Sequence, residues 1–370
     1  MDKPLGVAVV GIGEVALNTH LPTLLLCSHL FRTLALVDIS PGALQHAASK
    51  FHVPKTYTTL DPVLADPEID VVMIMSANEY HVEQSIAALR AGKHVFVEKP
   101  LALTVAGADA VAAAARESGK VCFVGFMRRY AEAFLRVKDM VAGAKFSYVR
   151  VRDIIGHNAF FVSQSGSFPL KFDGTSPPLR ADSDIPVSAA RERAVRSEAM
   201  LADALGTHTE RDSKTWNLLT GLSSHDISAL RELVGMPRRV LSAVRSGDCN
   251  WIWATLEYDG FVAYYEVGID NVRVFDAHIE AYLSDRRVKV SYDTPYVKGL
   301  PITASVQYTR DGDHVEETIR PTYEDAFTLE YRAFYDAIVK GTPVKTSPED
   351  AREDVVIFKM IMDAIWAGEI

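Results

Sequence analysis

The stretch His94-Val95-Phe96-Val97-Glu98-Lys99-Pro100 sets a carboxylate and an ammonium side by side at the end of a short apolar run, and a proline then stops the run. In an open parallel sheet, ligands bind in the crevice outside the carboxyl ends of the strands. An acid and a base delivered there can hold a ligand with one group and exchange a proton with the other. The same two letters also describe a solvated Glu-Lys pair in a turn, so the surrounding pattern has to decide.

A second constellation stands near the N-terminus. Gly6-Val7-Ala8-Val9-Val10 is an apolar run of strand length, as expected for a strand buried on both faces. It leads into Gly11-Ile12-Gly13-Glu14-Val15-Ala16. Gly11 permits a tight turn, Gly13 lets the backbone approach a pyrophosphate, and the small Ala16 lets the next helix pack closely, with its N-terminus toward the phosphates. Ile12 and Val15 belong to the same fingerprint. The next apolar run, 33–37, ends in Asp38. A carboxylate there accepts hydrogen bonds from ribose hydroxyls and repels a 2′-phosphate. Ile39-Ser40-Pro41 offers no arginine to hold such a phosphate, so NAD is favoured over NADP as cofactor. The structural alternative is that Asp38 caps the helix that follows.

The elements that would position these residues alternate regularly. Apolar runs at 6–10, 33–37, 70–75, 94–97 and 121–124 read as strands, with helices over 18–29, 42–51, 60–66, 79–91 and 104–118 between them. Ser76-Ala77-Asn78 is the exit loop of the third strand. Strands and helices at this spacing imply right-handed βαβ crossovers and a parallel sheet.

Beyond Tyr130 the pattern changes. After a linking helix over 131–142, alternating strands are expected at 146–155, 240–245, 251–258, 261–269, 277–283 and 287–291. Turns such as Asp259-Gly260 mark antiparallel hairpins with one solvated face. Helices over 325–341 and 348–367 close the chain. The reading is α/β: a doubly wound parallel sheet, then an α+β domain with an open, mainly antiparallel sheet.

With 370 residues, two domains are the natural division. A net charge of -9 and the lack of a basic run interleaved with aromatics exclude nucleic acid as a partner. The first apolar run breaks into glycines after Val10, which is neither a secretory signal nor a membrane span. Cys27, Cys122 and Cys249 are widely spaced and form no metal-binding cluster, so no metal is expected, and a reducing, cytoplasmic setting fits.

The order of these motifs resembles the Gfo/Idh/MocA oxidoreductases, the relatives of glucose-fructose oxidoreductase and inositol 2-dehydrogenase. The resemblance rests on the glycine turn, Asp38, the Val53-Pro54-Lys55-Thr56-Tyr57 phrase, Ser76-Ala77-Asn78 with His81, Glu98-Lys99-Pro100, and Gly125-Phe126-Met127-Arg128-Arg129-Tyr130. It implies an N-terminal Rossmann domain over 1–126, a substrate and oligomerisation domain over 127–345 carrying an insertion at 158–215, and a closing helix at 346–370. It further implies hydride transfer between a nicotinamide cofactor and a secondary alcohol or ketone of a sugar, inositol or polyhydroxylated glycoside. A small-molecule polyol would be the substrate, and the C-terminal sheet would build a homodimer or homotetramer.

Carried over residue by residue, Lys99 and His225 would be catalytic. Glu98, Ser76, Asn78 and His81 would border the cofactor, and Arg128, Tyr130, His157 and Asn158 the substrate. The family commonly places an aspartate four residues before the histidine, on the same helix face; here that position is Gly221. Asp226 lies about a hundred degrees around the helix and does not substitute for it. A lysine in water titrates at about 10.4, so its use as a base would need burial and the positive nicotinamide ring to lower it. The segment 157–216 is read as a lid over the substrate, or else as a peripheral excursion. The rival functions are a non-catalytic NAD-binding regulator and an NAD-assisted glycoside hydrolase.

Overall fold

The computed structural model describes residues 3–167, 170, 172 and 184–369. It divides into two compact units: Met1–Gly125 with Ser165–Gly206 and Glu330–Arg352, and Phe126–Gln164 with Thr207–Leu329 and Glu353–Ile370. The insertion expected at 158–215 is therefore divided, with 165–206 grouping with the first unit.

In the first unit, strands β1 (Leu5–Val10), β2 (Phe31–Val37), β3 (Lys55–Tyr57), β4 (Val71–Ile74), β5 (His94–Glu98) and β6 (Cys122–Gly125) form a parallel sheet in the order β3-β2-β1-β4-β5-β6. Helices α1 (Leu21–Leu26), α2 (Pro41–Phe51), α3 (Asp61–Ala65), α4 (His81–Arg90) and α5 (Val105–Ser118) connect them. Their boundaries follow local chemistry. The Ser40 hydroxyl accepts from Ala43 N and Pro41 opens α2; Thr104 caps α5, and Gly119 ends it at φ 64°. β3 escapes the sequence reading because a three-residue edge strand shows no alternation. The helix expected at 18–29 is shorter and starts with a π-turn, Ala16–His20, that runs into α1.

Register aligns the strand ends. Val10 pairs with Val37 and Ile74, and Ile74 pairs with Val97. The residues just past those pairs, Gly11, Asp38, Met75 and Glu98, thus share one edge of the sheet. Behind it, Phe31, Phe96 and Phe123 pack against Tyr331 and Phe334 at ring distances of 5.3–6.0 Å. Burying each of these rings contributes about 2–3 kcal/mol.

The second unit holds α6 (Glu132–Val141), β7 (Phe146–Gly156) and α7 (Asn158–Val162), while α8 (Val187–Leu205) belongs to the first. Next come α9 (Glu210–Leu218), α10 (Ser224–Val234) and the strands β8 (Arg239–Arg245), β9 (Trp251–Glu257), β10 (Val262–Asp270), β11 (Phe275–Leu283), β12 (Arg286–Tyr292), β13 (Thr303–Arg310) and β14 (Asp313–Ile319). Helices α11 (Ala326–Lys340) and α12 (Pro348–Gly368) finish the chain, and the division between units falls within each of them. The sheet order is β14-β13-β12-β11-β7-β10-β9-β8, antiparallel except where β7 meets β10. The Asp259-Gly260 turn joins β9 to β10 as expected, with Gly260 at φ 81°. The hairpin β13–β14 is additional: β14 is polar and largely exposed, so it carries no apolar stripe to read. No helix among the described residues is long and apolar enough to cross a membrane.

Candidate active site

The glycine turn forms at the end of β1. Gly11 takes φ 86°, and a Cβ there would lie 2.5 Å from the Ser76 backbone, so only glycine fits against the exit of β4. A Cβ at Gly13 would meet nothing within 4 Å, so the turn is open on the side where a pyrophosphate would approach. Ala16 is buried and lets the helix pack onto the sheet, and Val15 is half-buried beside it. Asp38 Oδ2 accepts from Ile12 N at 2.6 Å and Oδ1 from Ser40 N at 2.8 Å. The carboxylate is thereby held at the mouth of the turn. Burial pushes its carboxyl pKa above the usual range, against the pull of those two N–H groups. A cavity of about 200 Å³ is lined by Ile12, Gly13, Asp38 and Ser40. These residues fit a dinucleotide: Gly11 and Gly13 for close approach and Asp38 for a ribose.

Glu98 ends β5, and its anchoring involves a residue the sequence reading passed over. His20, on the π-turn and fully buried, approaches Glu98 Oε1 with Nε2 at 2.8 Å and the Tyr331 hydroxyl with Nδ1 at 2.6 Å. Glu98 Oε2 accepts from Lys99 N at 3.0 Å. Burial opposes the charge of Glu98, but the His20 hydrogen bond and charge, with Lys99, hold its carboxyl below the usual range. A fixed carboxylate therefore directs the start of the loop that carries Lys99. His20 stands four residues after Ala16 on the same helical run. That spacing, putting a polar ring on a buried face, was the available signal.

The other expected cofactor residues divide by role. His81 is buried and spans two carbonyls, Pro100 O at 2.8 Å and Ser76 O at 2.9 Å. It braces the loops after β4 and β5 against each other, and burial pushes its imidazole pKa down. Ser76 Oγ donates to Gln84 Oε1 at 2.7 Å. Asn78 opens a turn before α4 and lines a cavity of about 380 Å³ with Val82, Thr104 and Gly107, closed by Arg196 and Met200 of α8.

In the second unit, α10 follows a π-turn, Leu219–Ser223, that contains Gly221. A Cβ at Gly221 would meet nothing within 4 Å, so the place of the family's carboxylate is open space. His225 is half-buried in the first turn of α10. The next residue, Asp226, points inward and is fully buried, where it accepts from Arg128 Nη1. The same nitrogen donates to Asp153 Oδ2 at 3.0 Å. Burial pushes the Asp226 carboxyl well above the usual range, against the pull of the Arg128 guanidinium and with the charge of Asp153 adding to the rise.

Arg128 is thus committed to a buried ion cluster, its guanidinium 4.9 Å from the Tyr292 ring centre. Tyr130 is buried. His157 and Asn158 lie exposed at the end of β7, with the His157 ring 5.9 Å from that of Phe160. Asp153 was not anticipated, because its partners Arg128 and Asp226 lie 25 and 73 residues away in sequence. Among the described residues no group of three or more His, Cys, Asp or Glu side chains could hold a metal ion.

Comparison with known proteins agrees with this geometry. A family described as "Oxidoreductase family, NAD-binding Rossmann fold" matches residues 5–126. Inositol 2-dehydrogenase of Salmonella typhimurium is 35% identical over 139 residues, 37% of this chain and 41% of that protein. A 1,5-anhydro-D-fructose reductase of Ensifer adhaerens is 40% identical over 95 residues, 26% of this chain and 28% of that protein. The matches therefore span less than half the length of these relatives.

Across nearly the whole chain, the fold is that of levoglucosan dehydrogenase in complex with NADH and levoglucosan (TM-score 0.74, 19% identity, 99% of this chain and 98% of that one). It also resembles the fold of a 3-ketoreductase of Actinomadura kijaniata with NADP and TDP-benzene (TM-score 0.71, 20% identity, 99% of this chain and 98% of that one). The glycine turn, Asp38 and Glu98-Lys99-Pro100 all lie inside the segment, residues 5–126, that matches the NAD-binding Rossmann fold of this oxidoreductase family.

Proposed function

We propose that this protein is an NAD-dependent dehydrogenase acting on a secondary alcohol, or the matching ketone, of a sugar, inositol or polyhydroxylated glycoside. The observation that carries the proposal is the Glu98-Lys99 pair, anchored by His20 on the sheet edge that also holds the glycine turn and Asp38. NAD, when bound, would accept or donate the hydride. Gly11 and Gly13 would admit its pyrophosphate, and Asp38 would take its adenosine ribose.

Lys99 Nζ would receive the hydroxyl proton as a carbinol is oxidised and return it in reduction. His225 would partner it, without the carboxylate that Gly221 lacks. Asn78 would border the cofactor, and His157 and Asn158 would offer polar groups to a polyol. The mixed sheet of the second unit, with Trp251 and Trp253 stacked at 6.1 Å, would form a contact between copies of the chain.

The test is a panel of sugars, inositols and anhydrosugars with NAD and with NADP, read by nicotinamide absorbance. Reduction of NAD by at least one polyol is expected. A response only to NADP would overturn the role of Asp38, and product release without net NADH would favour a hydrolase. The open space at Gly221 is the observation that favours a non-catalytic NAD sensor; tight NADH binding with no turnover on any polyol would support that reading.

A further inference from the structure

Pro41 has no N–H, and the three other N–H groups from Ser40 to Ala43, at the start of the eleven-residue helix α2, all have carboxylate or hydroxyl acceptors. Ser40 N donates to Asp38 Oδ1 at 2.8 Å and Ala43 N to Ser40 Oγ at 3.0 Å. Gly42 N donates to Asp184 Oδ2 at 2.6 Å, across 142 residues of sequence. Asp184 belongs to the 165–206 part of the insertion, which groups with the first unit.

Other described residues of that segment seat it on the same surface. The Phe172 ring presses on Gly42, where a Cβ would come within 2.5 Å of it, and packs 6.4 Å from the His46 ring. Lys50 Nζ donates to Ser167 O, and Ser167 Oγ to Asn18. Leu170, Phe172 and Ile185 line the cavity that also holds Gly13 and Asp38.

A helix N-terminus with open N–H groups attracts phosphate. Here a carboxylate from the insertion takes that place, and its charge is felt at Asp38, where it opposes ionisation. We propose that Asp184 is a cofactor-specificity residue: seated on Gly42 N beside Asp38, it turns away the 2′-phosphate of NADP while leaving the ribose hydroxyls of NAD acceptable. This rests on the reading of the Gly13–Asp38 cavity as the adenosine end of the cofactor site. Two carboxylates and no open N–H then face the extra phosphate, which is discrimination by a built-in repulsion.

The experiment is equilibrium titration of NADH and NADPH, followed by nicotinamide fluorescence, on wild type, Asp184→Asn and Asp184→Ala, with thermal unfolding to confirm that each variant folds. Asp184→Asn preserves shape and removes the charge. Both variants are expected to bind NADPH at least about tenfold more tightly relative to NADH, with the NADH affinity within about threefold of wild type. An unchanged NADPH-to-NADH ratio in both variants overturns the proposal. A wild type that binds neither nucleotide overturns it together with the reading of the groove. Because binding is read directly, failure to find a polyol substrate leaves this result standing.

Discussion

Replacing His20 by alanine strips a partner from two buried contacts at once, Glu98 Oε1 at 2.8 Å and the Tyr331 hydroxyl at 2.6 Å. Leaving a buried carboxylate without its hydrogen-bond partner costs about 3–5 kcal/mol. The Glu98 side chain keeps 12% exposure and the Lys99 N–H bond, which places the cost near the lower end. Leaving the Tyr331 hydroxyl without this partner adds about 1 kcal/mol. The expected loss is about 4 kcal/mol, or roughly a 10 °C fall in the unfolding midpoint for a body of this size.

The pH dependence distinguishes this explanation from a simple cavity. In the wild type the Glu98 carboxyl titrates below its ordinary value, so its contribution to stability is full above that value and lost as the pH falls through the folded one. Without His20, Lys99 is left to oppose burial, and the carboxyl is expected to titrate higher than in the wild type. The buried charge then destabilises the variant relative to wild type at neutral pH, and that penalty is relieved on acidification. The gap between the two proteins should be widest near neutral pH and narrow toward about pH 5. Urea unfolding of both proteins across that interval measures it. A cost under about 1 kcal/mol, or one that does not change with pH, would refute the argument.

Arg128→Met leaves Asp153 and Asp226 buried without their cation and should cost about 3–5 kcal/mol, less at acid pH, as urea titrations would show. Gly11→Ala combines a left-handed backbone with a Cβ 2.5 Å from Ser76, so a loss of at least about 2 kcal/mol and of NADH affinity is expected in unfolding and binding assays. Gly221→Asp has room for its side chain and should change stability by less than about 1 kcal/mol. Under the proposed chemistry its carboxylate would raise the basicity of His225 and move the rising limb of the pH–rate profile to higher pH.

The features legible in the sequence are those whose cause is local. An apolar run followed by two glycines can do little but form β1 and its turn, and the aligned ends of β1, β2, β4 and β5 follow from parallel pairing. Contacts between distant residues were not legible. Nothing near Glu98 in sequence points to His20, 78 residues earlier, and Asp153 reads as one more polar position on an alternating strand until Arg128 and Asp226 are seen around it. The insertion is the clearest case. Its composition marked it as unusual, but the pairing of Asp184 with Gly42 depends on where the segment returns. The π-turns at Ala16–His20 and Leu219–Ser223 each shift the helical phase, so face assignments made at 3.6 residues per turn drift beyond them.

On the proposed mechanism, Lys99 moves the substrate proton while the rest of the first unit holds NAD. That role is tested most directly by measuring, in one experiment, NADH affinity and polyol-dependent NAD reduction for wild type and Lys99→Ala. Wild type is expected to reduce NAD with at least one sugar, inositol or anhydrosugar. Lys99→Ala should bind NADH within a few-fold of wild type and lose at least about 10²-fold in turnover. Equal turnover in the two proteins would contradict that role.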